Sequence, residues 1–418
     1  MSYSTSNDSL MLIGIVLLAA ILPSAKTVGG EEVQKDPGPT KRQLHLPETP
    51  YNYTNIALPP HFQTSAVRRM DNTPTSNPIT DHGATLGRVL FHDTGLSANG
   101  KTSCASCHLQ KLAFSDAKKV SRGFNGEKVE RNSMSLVNSR YYARGRFFWD
   151  ERATSLEEQV LMPIENELEM GHQLDKLVEQ LQGSSVYPPL FKSAFGDDVV
   201  TNDRVAMALA QFVRSIVSYQ SRYDEGLANA GSIRESFSNF TETENNGKRL
   251  FLTRAQCASC HMLDQRGGGR GRGGDRGRGG SRGRGRNGNA AIFFMDGPAN
   301  NGVDGNYQAK DAGVANQTFD LRDAGDFKSP SLRNVELTAP YMHDGRFITL
   351  ESVLTHYSDG IKNHPNLDRR FRGGGRSRSR GLNLTSADKK AIVAFLKTLT
   401  DHELIEDPKF SDPFASGT

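Results

Sequence analysis

The sequence is poor in cysteine, with four in 418 residues, too few for a disulfide-built scaffold of this length. Tryptophan is nearly absent, Trp149 being the only one, and no histidine falls between His108 and His172. No apolar run reaches the roughly 20 residues of a membrane-spanning helix, so no stable membrane span is expected. The longest, Leu10 to Leu22, is followed by Pro23-Ser24-Ala25, small residues of the kind a signal peptidase accepts. We read residues 1–25 as a secretory signal and the protein as periplasmic or otherwise exported, although Met1 to Ser9 lack the usual Lys or Arg. An uncleaved anchor is the alternative. Strand-like alternation is also missing, which leaves an all-α fold.

The formal charge of +4 hides an uneven distribution. Residues 266–286 hold eight Arg and one Asp, and residues 369–380 hold six Arg; elsewhere acidic side chains outnumber basic ones. Such low-hydrophobicity, high-charge stretches do not drive folding, and both read as Arg/Gly-rich insertions. Arg-Gly repeats bind nucleic acid in other settings. An exported protein rarely meets any, so no nucleic-acid partner is expected, and attraction to an acidic redox partner or an anionic surface fits better. A spacer without a role is the alternative.

The chain divides into a linker or extended arm at 26–79, a first domain at 80–235, a second at 236–405 and a tail at 406–418. Helical spacing begins at Ala84 with Leu86, Val89, Leu90 and Phe91. Ser155-Leu156-Glu157-Glu158 announces a capped helix that Pro163 is expected to interrupt. Asn202 is placed as the cap of a helix presenting Val205, Leu209, Phe212, Val213 and Ile216. Later helices are expected near Thr241, from Thr349 to Tyr357 and from Thr385 to Leu399.

All four cysteines lie in two identical pentapeptides, Cys104-Ala105-Ser106-Cys107-His108 and Cys257-Ala258-Ser259-Cys260-His261. This is the attachment signature of c-type haem. Two thiols one turn apart add to the two vinyl groups of a porphyrin, and the adjacent imidazole ligates the iron. A four-ligand zinc site, a redox pair or structural disulfides would each use the cysteines but leave both histidines unexplained. Two haems imply redox chemistry, and the group opposite each histidine decides whether an iron carries electrons or binds a small molecule.

Several further motifs occur in order: Leu90-Phe91-His92-Asp93, Arg131-Asn132-Ser133, Phe148-Trp149-Asp150-Glu151-Arg152, Leu156-Glu157-Glu158-Gln159, Glu169-Met170-Gly171, and Leu332-Arg333-Asn334-Val335 through Pro340-Tyr341-Met342-His343-Asp344-Gly345. From about Ala84 to Leu399 the chain resembles the bacterial di-haem cytochrome c peroxidase and MauG superfamily. The resemblance implies two cytochrome-c-like domains, each with one covalent haem: a peroxidatic first haem and an electron-transfer second haem.

Carried over by position, Glu169 matches the acid/base carboxylate of the peroxide site, and Gln159 and Pro163 match residues of the same pocket. Trp149 matches an indole between the haems. Tyr357 matches the distal ligand of the second haem, with Met342 as the competing ligand. Asn132, Thr338 and Pro340 match the positions that bind a calcium ion between the domains. Many members carry a histidine after the first haem motif that ligates the resting iron; its absence here implies a first haem open at rest. The expected function is reduction of hydrogen peroxide to water with electrons from a small c-type cytochrome or cupredoxin. A MauG-like oxidase acting on a protein or organic substrate, and a non-enzymatic di-haem electron carrier, are the alternatives. Homodimers occur in the family.

Overall fold

The computed structural model describes residues 43–261, 290–294, 297–305, 311–373 and 381–414. The expected signal segment, the 266–286 insertion and the 374–380 part of the second insertion lie outside the described residues. Among the described residues the fold is helical, with isolated bridges but no strands, and no helix is long and apolar enough to cross a membrane.

Six helices organise the two halves. In the first, α1 (Asp81–His92) and α3 (Asn202–Ser215) pack together, with α2 (Leu156–Glu165) laid against α3. In the second, α4 (Glu242–Leu252) packs on α6 (Ser386–Lys397), with α5 (Leu350–Thr355) alongside. Each central pair meets at a glycine. A Cβ on Gly87 would lie 2.0 Å from the carbonyl oxygen of Ala208, and one on Gly247 would lie 1.8 Å from that of Ala391, so any larger residue would force the backbones apart. The first core includes Leu90, Phe91, Leu209 and Phe212. The second includes Leu250, Phe251, Phe293, Ile392 and Phe395.

The helix starts follow from side-chain caps that satisfy backbone N–H groups left without an intrahelical partner. Thr80 accepts from Gly83, Ser155 from Glu158, Thr241 from Glu244 and Thr385 from Asp388. Thr201 caps α3, one residue before the expected Asn202. Pro163 does not interrupt α2, which runs on to Glu165. α5 ends at Thr355, and the chain continues through a wider π turn at His356–Gly360 that carries Tyr357. Such turns recur at functional sites.

The two halves are copies of one plan. Antiparallel bridges join Phe147 to Ala153 and Tyr341 to Phe347. Left-handed backbone occurs at Phe148 and Glu151 in one copy and at Met342 and Gly345 in the other. The correspondence holds at one spacing of 194 residues from Phe147/Tyr341 through the helix caps Ser155/Thr349. A second matched stretch pairs Asn138 with Asn334, both at φ 59° and ψ 19°.

Three segments depart from the expected boundaries. Tyr223 and Leu227, assigned to the first domain, pack in the second core. The described part of the arm is built in: Phe62, Val67 and Met70 form a third cluster with Tyr141, Tyr142 and Phe294, and His61 pairs with the buried Asp224, which also holds Arg333. The Arg333 guanidinium and the His61 hydrogen bond hold the Asp224 carboxyl well below the usual carboxylate range despite its burial.

The expected tail is likewise a strap over the first half. Leu404 and Phe410 enter the first core, and the Arg88 side chain donates to the carbonyl of Ser411. The tail's polar composition masks one well-placed aromatic: Phe410 meets Tyr53, Phe114 and Phe212 with ring centroids 6.3, 6.0 and 6.1 Å away. Phe410→Ala should therefore destabilise the protein by about 3–5 kcal/mol, read from denaturant unfolding; a change below about 1 kcal/mol would mean the strap is dispensable.

Candidate functional site

The two pentapeptides lie in separate clefts, so their cysteines do not converge into one four-ligand site. The first cleft, about 1610 Å³, is lined by Cys104, Cys107 and His108 together with Gln159, Pro163 and Glu169. The second, about 1640 Å³, is lined by Cys257, Cys260 and His261 together with Met342 and Tyr357. All four thiols are unpaired, and burial pushes Cys104 and Cys257 up to about 12, unlike the low-pKa thiols of redox-active pairs.

In each pentapeptide the backbone turns so that the N–H of the histidine donates to the carbonyl of the first cysteine, 2.9 Å in both. The imidazole is then fixed from behind. His108 Nδ1 lies 2.8 Å from the carbonyl oxygen of Phe114, and His261 Nδ1 lies 3.4 Å from that of Phe293. A carbonyl only accepts, so Nδ1 carries the proton and Nε2 keeps its lone pair for a metal. Both phenylalanines sit at φ 59°, a left-handed conformation that turns the carbonyl toward the ring. Six residues separate His108 from Phe114, and 32 separate His261 from Phe293. The Arg/Gly-rich insertion falls within the longer interval and leaves this contact in place. Burial lowers the pKa of both histidines, that of His261 to about 4, which keeps them neutral as ligation requires.

Glu169 lies on the far wall of the first cleft, after α2. Its backbone carbonyl accepts from Phe124 N–H, and Gly123 allows the approach, since a Cβ there would come within 1.9 Å of the Leu168 carbonyl oxygen. Burial raises the Glu169 pKa, and the nearby Arg152 guanidinium offsets part of that rise. Arg152 itself is held by Asp150 at 3.2 Å and stacks over Phe148.

In the second cleft Met342 and Tyr357 converge on one side chain. The Asn301 amide donates to Met342 Sδ at 3.4 Å and to the Tyr357 hydroxyl at 3.2 Å. Tyr357 stacks on Phe371, and burial raises its pKa to about 12. Arg370, assigned from composition to an insertion, lies in a short ordered turn at Arg369–Phe371; it pairs with Asp368 and donates to the carbonyl of Ser259 inside the second pentapeptide.

Trp149 lines both clefts, as do Asn132 and Lys328. The indole N–H donates to the carbonyl of Asn132 at 2.8 Å, and the ring meets His343 edge-on at 6.4 Å. Asn132, Thr338 and Pro340, the calcium candidates, all line the second cleft. The Asn132 amide donates to the carbonyls of Lys118 and Lys119, and the Thr338 hydroxyl to that of Val335. Among the described residues no three His, Cys, Asp or Glu side chains gather to hold a metal.

Asn301, Lys328 and Arg370 escaped the sequence reading. Lys328 had a signal: Phe327-Lys328-Ser329-Pro330-Ser331-Leu332-Arg333-Asn334 parallels Arg131-Asn132-Ser133-Met134-Ser135-Leu136-Val137-Asn138. Asn301 had none, because its partners are 41 and 56 residues away.

Residues 81–232 match the family described as di-haem cytochrome c peroxidase, and residues 244–400 match cytochrome c. A cytochrome-c peroxidase of Denitromonas iodatirespirans is 31% identical over 80% of this chain and 86% of its own. The methylamine utilization protein MauG of Methylophilus methylotrophus is 29% identical over 82% of this chain and 89% of its own. The chain belongs to the di-haem cytochrome c peroxidase and MauG family. Among solved structures, a MauG-like protein associated with microbial copper homeostasis superposes with a TM-score of 0.67 at 32% identity, covering 86% of this chain and 99% of that one. The family carries two haem c groups, and the clefts, their thiol pairs and their neutral imidazoles fit one each. Replacing Cys104 and Cys107 together by Ser should halve the covalently bound haem per chain, and replacing Cys257 and Cys260 should remove the other half, both read on denatured protein. Full haem content in either variant would contradict the assignment.

Proposed function

We propose that this protein is a peroxidase that reduces hydrogen peroxide to two water molecules in the first cleft, using two protons and two electrons delivered through the second. The observation that carries the reading is a substitution between the copies. At the spacing of 194 that matches the halves, Pro163 stands in the first where Tyr357 stands in the second. A prolyl ring has no atom that ligates iron. Together with the missing histidine between His108 and His172, this leaves the first cleft open to a small molecule, which a pure electron carrier would not need.

A haem held by Cys104, Cys107 and His108 would supply the redox-active iron for reduction of the O–O bond. Glu169 takes the proton from one peroxide oxygen and returns it to the other, which leaves as water; a buried carboxyl of raised pKa suits both steps. Gln159 holds the substrate by its amide. Trp149, in the wall common to both clefts, lies on the route for electrons. Tyr357, in preference to Met342, would hold the iron of a second-cleft haem, and a phenolate would favour its ferric state. Oxygens of Asn132, Thr338 and Pro340 would hold a calcium ion that would stiffen the junction. The donor is a small c-type cytochrome or cupredoxin, and the setting is periplasmic or otherwise exported.

Tyr357 also favours a second reading, a MauG-like oxidase that draws electrons from a protein or organic substrate. Low-temperature EPR of the ferric protein, before and after one equivalent of peroxide, tests what the two enzyme readings share. One high-spin signal consumed by peroxide is expected beside one low-spin signal; two low-spin signals untouched by peroxide would leave an electron carrier. Turnover with a small reduced cytochrome then separates the enzyme readings.

Glu169→Gln should lower kcat/KM for peroxide by about 10²–10⁴-fold. The carboxylate form is the proton acceptor and its pKa is raised. Activity should therefore climb with pH through a limb above the ordinary Glu range of about 4.3, and the limb should vanish in Glu169→Gln. An unchanged limb would assign the titration elsewhere.

A further inference from the structure

The junction between the copies is built by exchange. The backbone N–H of Asn132 donates to the carbonyl of His343, and that of Lys328 donates to the carbonyl of Trp149, both at 2.8 Å. Trp149 matches His343, and Asn132 matches Lys328, in the aligned repeats. Each half thus sends one residue across to the other. Asn132 crosses to the second half and lines the second cleft with the other calcium candidates, Thr338 and Pro340. Lys328 crosses to the first half, with its ammonium 4.2 Å from the ring centroid of Tyr142 and 4.8 Å from that of Phe147.

Lys328 is 4% exposed. Among the described residues its ammonium has no hydrogen bond or ion pair, only the two ring faces. The nearby carboxylate, Glu151, is already engaged by the Tyr142 hydroxyl and by two nitrogens of Arg144. A buried ammonium left with rings alone is costly unless an anion meets it. Lys328 lines both clefts, but the rings beneath its charge belong to the first half, and Phe147 lines the first cleft only.

We propose that Lys328 is a fixed cation that holds a carboxylate of the first-cleft haem, taking in that half the place that the calcium candidate takes in the other. Every haem carries two propionate carboxylates, and the cleft wall offers this buried ammonium to one of them. The pairing resolves the desolvation that pulls the Lys328 pKa down to about 8, since an adjacent anion favours the protonated form. A fixed positive charge beside the porphyrin also favours the reduced iron, which carries one positive charge less. The inference rests on the assignment of one haem to each cleft and not on the peroxidase reading.

The test is redox titration of the full-length holoprotein and of Lys328→Met, with Lys328→Gln as the second variant should the first not load haem. The first-cleft couple is the one whose ferric spectrum responds to Glu169→Gln, which identifies it whatever the protein turns over. Lys328→Met should make that haem harder to reduce by about tenfold in equilibrium constant, about 59 mV for one electron, leaving the second couple in place. Lys328→Arg should stay within about threefold of the parent, because it keeps the charge. A shift below threefold in Lys328→Met, a shift confined to the second couple, or an equal shift in Lys328→Arg would overturn the proposal. Peroxide turnover enters none of these readings.

Discussion

Two backbone hydrogen bonds, Lys328 to Trp149 and Asn132 to His343, hold the halves in the one arrangement that makes their clefts neighbours. Everything that needs both clefts depends on them. Because each donor comes from one copy and each acceptor from the other, neither half can shift without breaking a bond in a buried wall. Lost backbone bonds there would not be replaced by water. The indole of Trp149 is pinned by the same network through its N–H to Asn132, so its orientation belongs to the junction and not to either half alone. The arm and the C-terminal strap reinforce this. One brings His61 to Asp224 and the other lays Phe410 into the first core, so both described ends of the chain pack back onto the body.

Much of the site was legible because its chemistry is local. A pentapeptide carries its own two thiols and its ligand, and the helices that flank it announce themselves through threonine and serine caps. Glu169, Trp149 and Tyr357 were named from family motifs, and each lines a cleft. What escaped is long-range. Asn301 meets Tyr357 and Met342 only after the chain has folded back, and no neighbouring residue marks it. Arg370 was hidden by composition: surrounded by Arg and Gly it looked like solvated spacer, yet Asp368 two residues earlier gives it a partner and Ser259 a place to dock. The strap failed for a similar reason, since one aromatic in a polar tail carries no periodicity. Pro163 was misjudged on a local rule, because a proline late in a helix costs a hydrogen bond but does not forbid one more turn.

The duplication explains how one plan yields unequal sites. A repeat gives both clefts the same floor, with thiol pair, imidazole and a left-handed phenylalanine behind it. Differences then accumulate at matched positions on the opposite wall. Where one copy has Tyr357, the other has Pro163; where one has His343, the other has Trp149. A side chain with an oxygen that can reach a metal becomes one without, and a ring that titrates becomes one that does not. The second cleft also gains Asn301, which ties the tyrosine to a loop, whereas the first gains Glu169 on a loop admitted by Gly123.

The same reasoning extends to charge. The first cleft is walled by Arg152 and Lys328 with Glu169 opposite, so a carboxyl there feels burial that raises its pKa and a cation that limits the rise. Were Arg152 absent, burial would raise the Glu169 pKa unopposed. Were burial absent, Arg152 would favour the ionised carboxylate. A group that must first accept a proton and then return it is served by both influences, burial being the larger here. The Arg152 to Asp150 contact, 3.2 Å long and seated over Phe148, is therefore part of the proton chemistry of a residue it does not touch.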